Sequence, residues 1–256
     1  MRQLIAMTVG AMGLLVASAP AIANNFYAEG MAKAKAEDWP AALDLLEQAV
    51  TADPNNLRVG TDYRQAVIAA GEYDRCLEFL GKVVADHPEA PNALLNLGFA
   101  HVDKIPVEGA ITQVILANTA LEKFSAALEL EETWLLRYTR GNSYLYWPAI
   151  FGRTQFGIDD LQRAIDMAKE LDSMPYHGRA WAALGDGYWR LEDPAKALAT
   201  YKEGLALYPD NAELKQRAEL DETELTTFLE ALFDTNVRVA THLAEIWEAH
   251  HANGAR

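Results

Sequence analysis

The chain has 256 residues, half of them hydrophobic, enough for one large domain or two small ones around a sizeable core. Its 22 Lys and Arg against 37 Asp and Glu give a net charge of −15, which excludes general binding to nucleic-acid phosphates or anionic lipid surfaces. A single cysteine, Cys76, excludes an intrachain disulfide framework, CxxCH haem attachment and cysteine-rich zinc or iron–sulfur sites.

The first segment reads as an address. Arg2 precedes an apolar run over residues 4–16, too short for an ordinary membrane span. Ala21-Ile22-Ala23 then places small residues where signal peptidase inspects the chain. Residues 1–23 are therefore expected to be a secretory signal peptide cleaved after Ala23. No cysteine follows the run, which rules out a lipoprotein anchor, and Arg2 stands alone, which rules out a twin-arginine signal. The mature chain would begin at Asn24 with a charge of −16, since only Arg2 is lost. No later apolar run could span a bilayer. The expectation is an exported, periplasmic protein without stable membrane insertion.

From Asn24 onward the chain repeats itself. Pro54 and Pro88 lie 34 residues apart, each closing a similar phrase, and a third such phrase ends at Pro209. A period of this length is the signature of stacked helical hairpins. The clearest copy runs from Gly178 to Asn211. Trp181, Leu184, Gly185 and Tyr188 mark its first helix, and Ala197, Tyr201, Gly204 and Pro209 mark its second. Here the sequence resembles the tetratricopeptide repeat family, and this copy departs from the family's pattern only at Gly204, where the family prefers Ala. The resemblance implies an all-α solenoid of about five hairpins over residues 24–220 that binds proteins or peptides in its concave groove.

The physics agrees without the family. Trp181, Leu184 and Tyr188 form one apolar helical stripe. Gly185 and Ala197 are small where two helices cross. Pro209 cannot continue a helix and helps stop the second one. One hairpin cannot bury its face alone, so several must stack.

Earlier copies are looser. Phe26, Gly30, Ala42, Leu46, Ala49 and Pro54 fit the first. Tyr63, Val67, Cys76, Leu80, Val83 and Pro88 fit the second, but Arg64 replaces the crossing glycine. Cys76 reads there as a buried small hydrophobe. The third copy opens with Leu94, Leu97 and Gly98 and resumes late at Ala120, Phe124 and Ala127. The fourth opens with Tyr138, Gly141 and Tyr144 and closes with Leu161, Ala164 and Ala168. Insertions at 104–118 and 144–157 interrupt these two copies. Repeat insertions gather on one face, often the binding face.

The first insertion carries Ile111, Val114 and Ile115 on one helical face, for contact with a partner or a second copy, or for inward packing. The second crowds Tyr144, Tyr146, Trp147, Phe151 and Phe156 beside Arg153. Those aromatics form either a lid over a ligand, with Arg153 pairing an anionic group, or packing for the longer hairpin. By repeat position, the resemblance puts Asn92, Leu95 and Phe99, then Tyr138, Asn142 and Leu145, then Arg179, Ala182, Asp186 and Trp189 in the groove. The candidate binding residues are thus Asn92, Phe99, Tyr138, Asn142, Tyr146, Trp147, Phe151, Arg153, Arg179 and Trp189. The Lys, Arg and Asn set that clamps C-terminal carboxylates is incomplete, and the negative charge favours a neutral or basic partner.

Residues 221–256 fall outside the repeat. Asp221 and Glu224 have the spacing of a capping box. Leu225, Phe228, Leu229, Leu232 and Phe233 form one apolar stripe, and Val239, Leu243, Ile246 and Trp247 another after a break near Asn236. They predict a capping helix or helix pair with a fraying tail.

No chemistry-bearing constellation stands out. His242, Glu245, His250 and His251 lack the HExxH spacing of a metal site. Asp159-Asp160 and Glu131-Glu132 read as solvated charges at helix starts. The expected function is non-enzymatic, without cofactor or metal: a scaffold for an envelope protein or peptide. The alternatives are a small-molecule binding component beside an envelope transporter and a self-assembling structural protein.

Overall fold

The computed structural model of the chain describes residues 19–247 except Thr235, with side chains from Ala23 except Ala149. The expected signal sequence lies largely outside the described residues, and the first helix passes through the expected cleavage point. Every regular element among the described residues is helical. Five hairpins follow in order: α1 (Ala19–Lys35) with α2 (Trp39–Ala52), α3 (Leu57–Ala70) with α4 (Tyr73–Asp86), α5 (Pro91–Lys104) with α6 (Ala110–Leu130), α7 (Trp134–Leu145) with α8 (Thr154–Glu170), and α9 (Gly178–Arg190) with α10 (Pro194–Leu207). Then come α11 (Ala212–Glu219), which packs on α9 and α10, and α12 (Glu222–Leu232).

Local chemistry sets the ends. Three second helices, α2, α4 and α10, stop two residues before Pro54, Pro88 and Pro209. Side chains of Asn56, Thr133, Asp193 and Asn211 accept from backbone amides at helix starts. Asp221 and Glu224 form the reciprocal capping box at the start of α12.

Crossing positions explain the hairpins. A methyl on Gly185 would overlap the Tyr201 ring, which packs across the α9–α10 crossing. A methyl on Gly204 would run into the Trp181 Cβ, which accounts for the departure from Ala there. In the second hairpin the crossing residue is Arg64, and α3 and α4 approach far less closely than the helices of the other hairpins. Cys76 is buried there, and burial pushes its thiol well above the ordinary range.

Packing along the array is uneven. α3 lies on α5 and α7 lies on α9, but α5 and α7, the corresponding neighbours in the middle, stand further apart. The first insertion explains part of this. It adds a 3-10 turn (Ile105–Val107) and lengthens α6 to 21 residues. Of the two placements open to its apolar face, inward packing is excluded: Ile111 is 82%, Val114 47% and Ile115 59% exposed.

Two expectations are corrected. Asp160 is not a solvated helix-start charge; it is buried in α8 and held by Arg140 at 2.6 and 2.8 Å and by Arg137 at 2.6 Å. Its partner acid Glu132 accepts from Arg163 and Arg137, which hold its carboxyl down at about 2. The second terminal stripe, expected as the second helix of a pair after a break near Asn236, is not helical over most of its length either. Residues 237–243 are a non-helical strap that turns back over the inner face, and helix resumes at residue 244. Leu243 and Ile246 thereby bury themselves among Leu94, Leu95, Phe99, Leu136 and Trp147 in the middle of the array. A helix capping the far end of the array would leave that apolar surface exposed to water.

Candidate functional site

The strap is held at both ends by charged groups that the helices bury. Arg64 is fully buried and reaches across the inner face. Its guanidinium donates to Asn96 Oδ1 at 3.0 Å, Asp103 Oδ2 at 2.7 Å, Thr241 Oγ1 at 3.2 Å and the Thr241 carbonyl at 2.9 Å. Thr241 in turn donates to Asp103 Oδ1 at 2.5 Å. Arg238 adds bonds to the Asp103 carbonyl and the Tyr73 hydroxyl, both at 2.8 Å. Further along, Glu245 accepts from Arg179, which also pairs with Glu213 at 3.1 Å. The strap thus touches α3, α5 and α9, the inner helices of three hairpins. Leu243 holds φ +53, a backbone conformation that branched side chains seldom adopt, so its placement between the helices is imposed by the surrounding packing.

Beneath the strap, in the gap between α5 and α7, lies a cavity of about 600 Å³. Seven residues singled out in the sequence line it: Phe99, Tyr138, Asn142, Tyr146, Trp147, Phe151 and Arg179. One end is apolar, walled by Phe99, Val102, Leu121, Trp147 and Leu243. The other is polar, with Tyr138, Asn142, Tyr146 and Arg179. Burial raises both phenols, Tyr146 to about 12, so both stay neutral hydroxyls in the ordinary range. Two of the cations in the lining are paired with carboxylates, Arg179 with Glu213 and Glu245 and Arg217 with Asp186 through bonds of 2.7 and 2.8 Å, while the third, Arg238, is held by the Asp103 carbonyl and the Tyr73 hydroxyl.

The other three sequence candidates lie elsewhere. Asn92 joins successive hairpins through two 2.9 Å bonds to Asn55. Trp189 turns to α12, with its indole N–H 3.4 Å from Thr226 Oγ1. Arg153, expected to pair an anion, stacks 3.7 Å from the Trp147 ring and donates to Asn118 on α6 at 2.9 Å. It locks the second insertion onto the first. The aromatic insertion is divided between both of its readings: Trp147 is buried packing, while Phe151 stays 55% exposed at the cavity rim.

Sequence reasoning missed Arg64, Asn96, Asp103 and Thr241. One signal was present. An arginine at a crossing position reserved for a small residue needs an acid within reach and room between the helices. Its partners lie 39 and 177 residues away, beyond any local pattern.

Among the described residues no group of three metal-ligating side chains converges, and no helix is long and apolar enough to cross a membrane.

No curated protein matches the sequence. Among solved structures, a thermophilic tetratricopeptide repeat protein of Thermus thermophilus is similar at TM-score 0.54 and 22% identity, over 77% of this chain and 96% of that one. The MamA protein is similar at TM-score 0.49 and 19% identity, over 78% of this chain and 97% of that one. The tetratricopeptide repeat pattern itself matches residues 33–97 and again residues 178–218, on either side of the two insertions. Two stretches of the chain are thus tetratricopeptide repeats, and the lengthened hairpins α5–α6 and α7–α8 run between them.

Proposed function

We propose that this protein is a non-enzymatic, exported scaffold of the bacterial envelope that takes an extended segment of a partner protein along the inner face of α3, α5, α7 and α9. The fold is one used for protein–protein interaction, and the N-terminal export pattern supports an envelope setting. One observation carries the peptide-binding reading: the chain's own residues 237–247 already lie on that face, with the Thr241 backbone carbonyl and apolar side chains both engaged. A neutral or basic segment suits the acidic chain.

The test uses the mature chain with Leu243→Asp and Ile246→Asp, which release the strap by placing charges in an apolar cluster. A fluorescent peptide of residues 236–247 should bind this variant saturably and bind the unaltered chain at least tenfold more weakly. Failure to bind a variant that keeps its helicity sinks the proposal.

A second reading, self-association, is favoured by the exposed face of Ile111, Val114 and Ile115 together with Ile150, which is 91% exposed.

A further inference from the structure

The cavity beneath the strap stays unfilled while the strap is seated, and its chemistry is specific. Its size falls within the range that holds drug-sized molecules. The Tyr138 hydroxyl, the Asn142 amide and the Tyr146 hydroxyl have no hydrogen-bond partner among the described residues, and all three line it. All three residues are half-buried, so their polar atoms are open to whatever fills the cavity. Three such groups on one wall are complementary to something that both donates and accepts hydrogen bonds.

The opposite wall is complementary to something else. Phe99, Val102, Leu121, Trp147 and Leu243 offer carbon surface with no polar atom within the side chains except the Trp147 indole. The charged groups of the lining and their partners balance, with Arg179, Arg217 and Arg238 against Asp186, Glu213 and Glu245. Arg179 faces Glu213 and Glu245, and Arg217 is held by both oxygens of Asp186. A charged head would break one of these pairs or lie unpaired beside it, and both are costly.

We infer that this cavity is a binding site for a neutral small molecule with an apolar body and one hydroxyl, carbonyl or amide head, shut in by the strap. The head meets Asn142, Tyr138 and Tyr146, and the body lies against Phe99, Leu121 and Trp147. Val239, Thr241 and Leu243 close the top. This site does not depend on the peptide reading: ligand is held with the strap in place, whereas a partner peptide displaces it. The two events oppose each other, so a molecule bound here holds the groove shut.

The probe is N-phenyl-1-naphthylamine, a neutral dye that brightens in apolar surroundings, titrated into the unaltered mature chain. One saturable site is expected. Competition with three molecules sharing a ten-carbon tail, each below its micelle concentration, then reads the head group. 1-Decanol should displace the dye at a concentration at least tenfold below decanoate or decyltrimethylammonium. Ala117→Trp, on the α6 wall, should remove the site, and Asn142→Leu should erase the advantage of 1-decanol while dye still binds. If Ala117→Trp loses helicity, the Asn142→Leu comparison decides alone. No saturable dye site, a site unmoved by Ala117→Trp in a folded chain, a preference for either charged head, or an unchanged 1-decanol advantage in Asn142→Leu overturns the inference. None of these results bears on whether the released groove takes the peptide, so the two proposals fail separately.

Discussion

Replacing Arg64 by Met tests whether the strap is clamped by a coupled charge pair. Arg64 has no exposed surface and Asp103 is 3% exposed. Arg64→Met keeps most of the side-chain volume and removes four hydrogen bonds at once. It leaves the Asp103 carboxylate in place with the Thr241 hydroxyl as its remaining side-chain donor. Stranding one member of a buried pair costs about 3–5 kcal/mol. At about 2–4 °C per kcal/mol for a chain of this size, the melting temperature should fall by roughly 6–20 °C. Replacing both charges by apolar groups of similar volume is often neutral, so Arg64→Met/Asp103→Leu should recover most of the loss. The assay is thermal unfolding followed by far-UV circular dichroism for both single variants and the double. A double variant that loses the sum of the two singles, to within about 0.5 kcal/mol, refutes the coupling.

Two further outcomes are expected. Burial lowers His101 and His177 to about 4, with Lys123 and Lys104 adding to the effect at His101. An unfolded histidine titrates near 6.5, so the unfolded chain takes up protons first as pH falls, and stability present above about 6.5 drains away down to about 4. By pH 5 each histidine should cost up to about 2 kcal/mol, read as a lower urea midpoint than at pH 7; His177→Phe should shrink that fall, and an equal fall in that variant refutes the assignment. If the exposed face of α6 pairs copies of the chain, sedimentation velocity at rising concentration should show a dimer that Ile111→Asp/Ile115→Asp abolishes; a monomer at every concentration ends that reading.

The hairpins were legible because each depends on neighbours along the chain. Pro54, Pro88 and Pro209, the Asp221–Glu224 capping box and the glycines at the hairpin crossings all act close to their own position in sequence. Part of the cavity's lining was named from the sequence, Phe99, Tyr138, Asn142 and Arg179 by repeat position and Tyr146, Trp147 and Phe151 by aromatic crowding, while the lining from α6, α11, α12 and the strap was not. The strap was not. Val239, Leu243, Ile246 and Trp247 have the spacing of a helical stripe, and only the gap between α5 and α7 makes another conformation better. That gap depends on how far apart two hairpins stand, which no local pattern records. Asp160 was misread for a related reason: its acid neighbour suggested solvent, while Arg137 and Arg140 approach from another helix.

A chain of stacked hairpins is ordinarily a one-dimensional array, in which each unit gains stability from the units beside it and folding can spread from any point. Thr241 alters that arithmetic by bonding to Arg64 across 177 positions of sequence. The bond closes the array into a loop, so the second hairpin cannot complete its buried charge network until nearly the last residues are available. Contacts of such long separation are slow to form. The inner face therefore matures last, as one step that joins distant hairpins, and the array unfolds more as a unit than its repeats alone would dictate.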